Sequence, residues 1–229
     1  MRNTITAKRQ NPYLTPMITV TIAILALTCV ISFSAFSNEK VINDLIFDPT
    51  AINKRNQWYR FVTSGFIHAD LMHLAFNMYS FYLFGDMVER AFVSVFDEKG
   101  KLLYAFMYLL ALIVCLIPTY MQNRNNYLYR SLGASGAVSA VIFAGILLYP
   151  TLGMGIFPFP FHIPGFVFGP LYLILSAYLA RKGHGNINHS AHLWGAIFGI
   201  VFVIVFSRAM SDFDAIGHFL QQVSGYFSK

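Results

Sequence analysis

Charge is what this sequence has least of. Only 11% of its 229 residues are Asp, Glu, Lys or Arg, against roughly 25% in an ordinary soluble domain. So little charge cannot cover a water-exposed surface. Cysteine is almost absent too. Cys29 and Cys115 both lie inside apolar runs, which argues against a disulfide framework and a structural zinc site. There is no HExxH motif, no internal repeat, no low-complexity stretch and no second, soluble domain. The net charge of +6 is not gathered into a basic stripe with interleaved aromatics, so nucleic acid is not an expected partner. The basic residues suit lipid headgroups instead.

What is abundant is apolar length. Hydrophobic residues make up 56% of the chain, and the mean hydropathy is +0.56. The pattern predicts an all-α, multi-pass membrane protein with six spans: about 17–36, 70–88, 102–121, 133–149, 165–180 and 190–207. Each approaches the ~20 apolar residues a spanning helix needs. The first run, behind the basic residues Arg2, Lys8 and Arg9, also fits a signal peptide ending in small residues around Ala35 and Ser37. The expected organisation is a basic segment over 1–16, a six-helix membrane domain over 17–208 and a tail over 209–229 that forms a short amphipathic helix. The polar connection 37–67 holds Trp58 and Arg60 and is expected to pack at the interface, where Trp favours the headgroup depth. The connection 151–164 has no charged residue and belongs at the interface as well. Lys and Arg divide evenly between the two faces, so only the basic start of the first helix favours a cytoplasmic N-terminus.

Three polar clusters enter this bundle from one side. Alternating spans place the starts of segments two, four and six on the same face, and these carry His73 with Asn77, Ser135, and His192. Depth follows from the helical rise. Pro150 back to Ser135 is ~22 Å, and Arg208 back to His192 is ~24 Å. Against a core of ~30 Å, each lies several ångströms below the near surface. Polar groups at that depth need a partner or a wet cavity. Alone, Ser135 reads as a packing serine and His192 as a histidine bonded within the bundle. Jointly they supply a nucleophile and its base. Segments four and six hold no Asp or Glu, so the pair is a dyad. His73, Asn77 and the backbone N–H of Ser135 would stabilise an oxyanion. His189 and His192, at i and i+3, are the rival zinc pair, but segment six offers no acidic ligand; His184 and His189 read as loop residues near the interface. Gly133, Gly136 and Ala140 on one helix and Gly195 and Gly199 on the other predict close contact of segments four and six.

Several stretches together resemble the rhomboid family of intramembrane serine proteases. These are Gln57-Trp58-Tyr59-Arg60, His68 through Met78, Phe84-Gly85 with Glu89, Gly133-Ala134-Ser135-Gly136, and Ala191-His192 followed by Gly195 and Gly199. The resemblance covers about Trp58 to Ser207. It implies a six-helix rhomboid-like bundle without cofactor or metal that hydrolyses peptide bonds in transmembrane segments of other proteins. Ser135 is then the nucleophile, His192 the base, and His73, Asn77 and Ser135 N–H the oxyanion stabilisers. Its partners would be transmembrane protein substrates and membrane lipids, and its place a bacterial inner membrane. A non-catalytic scaffold of the same fold, binding transmembrane helices, is the alternative; such relatives typically lack the serine or histidine. A transporter would show repeats. The sequence departs from the family where an aromatic often follows the serine by one turn and stacks on the histidine. Ser139 stands there, so Trp194, Tyr79 or a hydrogen bond from Ser139 is expected to restrain His192. Glu89 is expected to anchor the first connection, and Arg60 to pair with it or with headgroups.

Overall fold

The computed structural model describes residues 19–155, 161–182 and 187–228. The basic segment 1–16, the start of the first run at Met17, and His184 lie outside them. The element order is α1 (Val20–Phe36), α2 (Glu39–Leu45), α3 (Pro49–Arg55), α4 (Arg60–Thr63), α5 (Leu71–Phe96), α6 (Gly100–Val114), α7 (Ile117–Asn123), α8 (Ser135–Leu148), β1 (Gly153–Gly155), β2 (His162–Pro164), α9 (Gly165–Lys182), α10 (His189–Met210) and α11 (Ala215–Phe227). The helical stretches Leu71–Asn123 and His189–Met210 are long and apolar enough to cross a membrane, and Val20–Phe36 and Ser135–Leu148 are shorter apolar helices.

At the centre stands α8. Nearly every residue of SGAVSAVIFAGILL is buried, as expected of a helix that is apolar all round. The helix α10 packs closely against it because neither presents bulk at the crossing. A Cβ on Gly195 would stand 2.0 Å from Gly136 O, and one on Gly199 2.1 Å from Ala140 O. The buried residues of α1 are Thr21, Thr28, Ser32 and Ala35, one narrow face of small and polar side chains. Its opposite side exposes Leu27, Val30 and Phe33. Small groups pack inward and large apolar ones face out, the arrangement suited to lipid.

The structure revises several boundaries. The third segment is two helices, interrupted at Cys115 and Leu116. Pro118 is the reason: it lacks an N–H, and its ring excludes the carbonyl four residues back, at Val114, the last residue of α6. The second segment does not stop at the charges after Val88 but continues to Phe96. It can do so because Arg90 pairs with Asp86 along the helix and Glu89 turns inward. The Glu89 carboxylate accepts from Val20 N and Thr21 N, both at 2.9 Å, and from Thr21 Oγ1 at 2.8 Å. It thus caps the start of α1, where a helix has free N–H groups and favours negative charge. It does not anchor the first connection, and Arg60 does not pair with it. Arg60 donates to Asn43 O (2.9 Å), Ile46 O (2.7 Å) and Gln57 Oε1 (2.6 Å). The uncharged connection after α8 forms an antiparallel pair, β1 with β2, in the register Gly153 to Pro164. The tail helix α11 packs on α8, with His218 Nε2 2.9 Å from Leu148 O.

Candidate active site

Ser135 is the first residue of α8. It stands where first-turn N–H groups have no intrahelical acceptor, and no side chain caps that end. Across the α8–α10 crossing, His192 Nε2 lies 2.7 Å from Ser135 Oγ. The small residues set this distance: Gly136 and Gly195 bring the backbones together one residue beyond the serine and three beyond the histidine. The entry of α10 is fixed independently. Asn188 Oδ1 accepts from Ala191 N at 3.0 Å and from Thr119 Oγ1 of α7 at 3.2 Å. The break at Pro118 thereby gives α7 a position from which to hold the first turn of α10.

The segment before Ser135 is tied down in three places. Phe47 and Ser131 exchange backbone hydrogen bonds of 3.0 and 3.1 Å. Gly133 N donates to Ser64 O at 2.9 Å. Ala134 N donates to His68 Nε2 at 3.4 Å. All three acceptor sites belong to the connection between α1 and α5, so that connection is a cradle for the serine loop as well as a surface element. Gly133 has φ +113°, and a Cβ there would lie 2.7 Å from His73 Cε1. Only glycine suits both the backbone and the ring pressed against it.

His73 therefore lies against the serine loop. Its ring also meets His68 edge to face, with centroids 5.0 Å apart. Asn77 is buried one turn further along α5, and its Nδ2 donates to His73 O at 3.0 Å. That uses one of its two amide hydrogens. His68 sits outside the helix, fully buried. Burial pushes its imidazole down to about 3, helped by neighbouring His73 and opposed by Asp70, so it is neutral at physiological pH.

Two expectations fail here. Ser139 does not bond His192; its Oγ lies 3.4 Å from Tyr172 Oη on α9. Among the described residues, the ring packed beside His192 is neither Trp194 nor Tyr79 but His189, edge to face at 6.0 Å. His189 is accordingly the first residue of α10 rather than a loop residue. Sequence reasoning also missed Ser32 and Tyr172. The polar spacing of Thr28 and Ser32 along α1 is the one signal for the former. Among the described residues, no group of three or more His, Cys, Asp or Glu side chains is placed to hold a metal ion.

The sequence also matches known proteins. A model of the Rhomboid domain matches residues 55–209. The Rhomboid protease GlpG of Haemophilus influenzae is 27% identical over 191 residues, covering 81% of this chain and 90% of that protein. RHOMBOID-like protein 12, mitochondrial, of Arabidopsis thaliana is 30% identical over 151 residues, covering 62% of this chain and 45% of its own length. Rhomboid-like protein 11, chloroplastic, of the same plant is 28% identical over 158 residues, covering 66% and 53%. The chain thus spans about half the length of these two plant relatives. The matched region runs from the cradle before α4 through the serine loop to the end of α10, and over that span this chain is an all-α integral membrane protein of the rhomboid family.

Proposed function

We propose that the chain is an active intramembrane serine endopeptidase that cleaves peptide bonds in or near transmembrane segments of other membrane proteins. The observation that carries this reading is the 2.7 Å approach of His192 Nε2 to Ser135 Oγ. In this mechanism the hydroxyl donates to Nε2, and His192 takes the proton as Oγ attacks the scissile carbonyl. The tetrahedral oxyanion is stabilised by Ser135 N–H at the start of α8, by the His73 ring and by the second amide hydrogen of Asn77. His192 then gives its proton to the departing amine. Water, deprotonated by the same nitrogen, releases the acyl product. No step calls for a metal or cofactor.

The site lies below a membrane surface in a bundle of six spans: α1, α5, the α6–α7 pair, α8, α9 and α10. The membrane domain covers 17–208, between the basic segment 1–16 and the tail 209–229, with the N-terminus cytoplasmic in a bacterial inner membrane. A substrate helix satisfies its own backbone hydrogen bonds in lipid. It must unwind locally before a carbonyl can reach Ser135, so Gly or Pro near the cut favours cleavage, and the Gly133–Gly136 loop favours a small residue at it.

The test is fluorophosphonate labelling of the purified protein. Labelling that is lost in Ser135→Ala and in His192→Ala supports the dyad. Absence of labelling, together with no cleavage of any transmembrane substrate, favours the non-catalytic scaffold.

A further inference from the structure

We infer that His68 is a positioning residue for the nucleophile, held as its Nδ1–H tautomer so that Nε2 carries the amide of Ala134. This rests on the reading of Ser135 as the nucleophile. The tautomer follows from two independent ends of one hydrogen-bonded chain. At one end, Ser32 Oγ donates its single hydrogen to Phe66 O at 2.9 Å. Ser32 Oγ also lies 3.0 Å from His68 Nδ1 and must accept there, so Nδ1 carries the hydrogen. At the other end, Ala134 N–H points at His68 Nε2, which must therefore hold a lone pair. Both ends demand the same neutral imidazole, and no donor in the chain faces another donor.

The chain joins α1, through Ser32, to the residue immediately before Ser135. The same ring braces His73, the proposed oxyanion donor, from the side. His68 touches no reacting atom in this arrangement. It fixes where α8 begins, and hence where Ser135 Oγ and Ser135 N–H point. The Ala134 amide is spent on His68, which leaves the Ser135 amide as the backbone donor to the oxyanion. A change of tautomer or a second proton would set N–H against N–H at Ala134 and release the loop.

Two amide side chains divide the ring's functions. Gln places an acceptor at the reach of Nε2, and Asn places a donor at the reach of Nδ1. His68→Gln therefore keeps the hold on Ala134, and His68→Asn keeps only the bond to Ser32. In full-length protein in detergent, kcat on a model transmembrane substrate is expected to fall at least ~10-fold in His68→Asn and His68→Phe, with KM nearly unchanged, as expected when a reacting group is misplaced. His68→Gln is expected to stay within ~3-fold of the parent. The second readout is 15N NMR of the histidine-labelled parent, with the His68 signal assigned by its loss in His68→Gln. It should show protonated Nδ1 and bare Nε2 at neutral pH. An Nε2–H tautomer overturns the proposal, as does a His68→Gln enzyme no faster than His68→Asn. If the parent cleaves nothing and takes no fluorophosphonate, the protease reading fails, and the NMR tautomer alone then decides the arrangement of His68.

Discussion

Ser135 and His192 are 57 residues apart in sequence and share one hydrogen bond. Ser32 and His68, the other serine–histidine pair described above, are fully buried and the Ser32 hydroxyl is bonded to Phe66 O, so Ser135→Ala and His192→Ala are each expected to abolish cleavage. Thermal stability should barely change, since a serine and a half-buried histidine leave small gaps. Near-normal turnover in either variant would rule out the dyad. His68 gives a separate, pH-dependent signature. Its folded pKa lies near 3, below the ordinary 6.5. Below pH 6.5 the unfolded chain takes a proton that the folded chain refuses. The neutral ring's contribution is thus intact above pH 6.5 and is lost as pH falls toward 3, by about 1.4 kcal/mol per unit at most. Melting curves in detergent from pH 7.5 to 5 should fall more steeply for the parent than for His68→Gln; parallel curves would contradict the assignment. The meeting of Ser135 with His192, and of His73 with the serine loop, was legible in the sequence because polar groups within apolar segments are few. The neighbours of His192 were not. The partner of Ser139 depends on how α8 and α9 rotate, which no spacing within one segment encodes, and the i, i+3 pairing of His189 with His192 needs α10 to begin at His189, where a loop was expected. Ser139 therefore turned out to meet Tyr172, and His189 to meet His192.

At the scale of elements, hydrophobic runs located the helices, but charge and proline altered their limits. The reading stopped the second segment at Glu89 because a charge usually marks the membrane edge. Here the carboxylate is satisfied by the first turn of α1, a partner distant in sequence, so the helix continues. Gly85 is part of the same junction: a Cβ there would stand 2.7 Å from Thr21 Cγ2 and 2.8 Å from Tyr104 Oη. The third segment was read as continuous although Pro118 was visible in it; its local effect on Val114 outweighs the apolar run. The glycine pattern was the most direct signal, because close backbone approach leaves no other choice. Gly199→Ala would drive a Cβ into the Ala140 carbonyl, which belongs to backbone and cannot swing aside. We expect a loss of about 3 kcal/mol as α8 and α10 separate. Fluorophosphonate reactivity should fall with it, because the same crossing sets the Ser135–His192 distance. A variant with parental melting temperature and labelling rate would show that the crossing tolerates the extra methyl group.

At the scale of the molecule, the route to Ser135 is set by which helix holds least firmly. The serine loop is lined by the cradle, α6 and the start of α10, so in the proposed protease a transmembrane substrate comes sideways from lipid. The helix α9 is the natural moving part. It buries only Gly165, Gly169 and Ser176, while Leu171, Ile174, Leu175 and Tyr178 are exposed. Pro170 inside it removes a ladder hydrogen bond, which weakens its first turns. Its polar contact with α8 among the described residues is that of Tyr172 with Ser139 at 3.4 Å, a long hydrogen bond. Phe168 and Tyr172 share an apolar cluster with Phe84 of α5 and Phe143 of α8, so opening between α5 and α9 means parting that cluster. Cys29 and Cys115 would first be replaced, and single cysteines placed on the facing sides of α5 and α9. Joining them with a thiol crosslinker is then expected to block cleavage of a membrane-embedded substrate while fluorophosphonate, a small probe, still labels Ser135. Reduction of a cleavable crosslinker should restore cleavage. Full proteolysis in a verified crosslinked enzyme would exclude entry between α5 and α9 and leave the Ser135–His192 chemistry untouched, since the probe reports on the dyad without passing the gate.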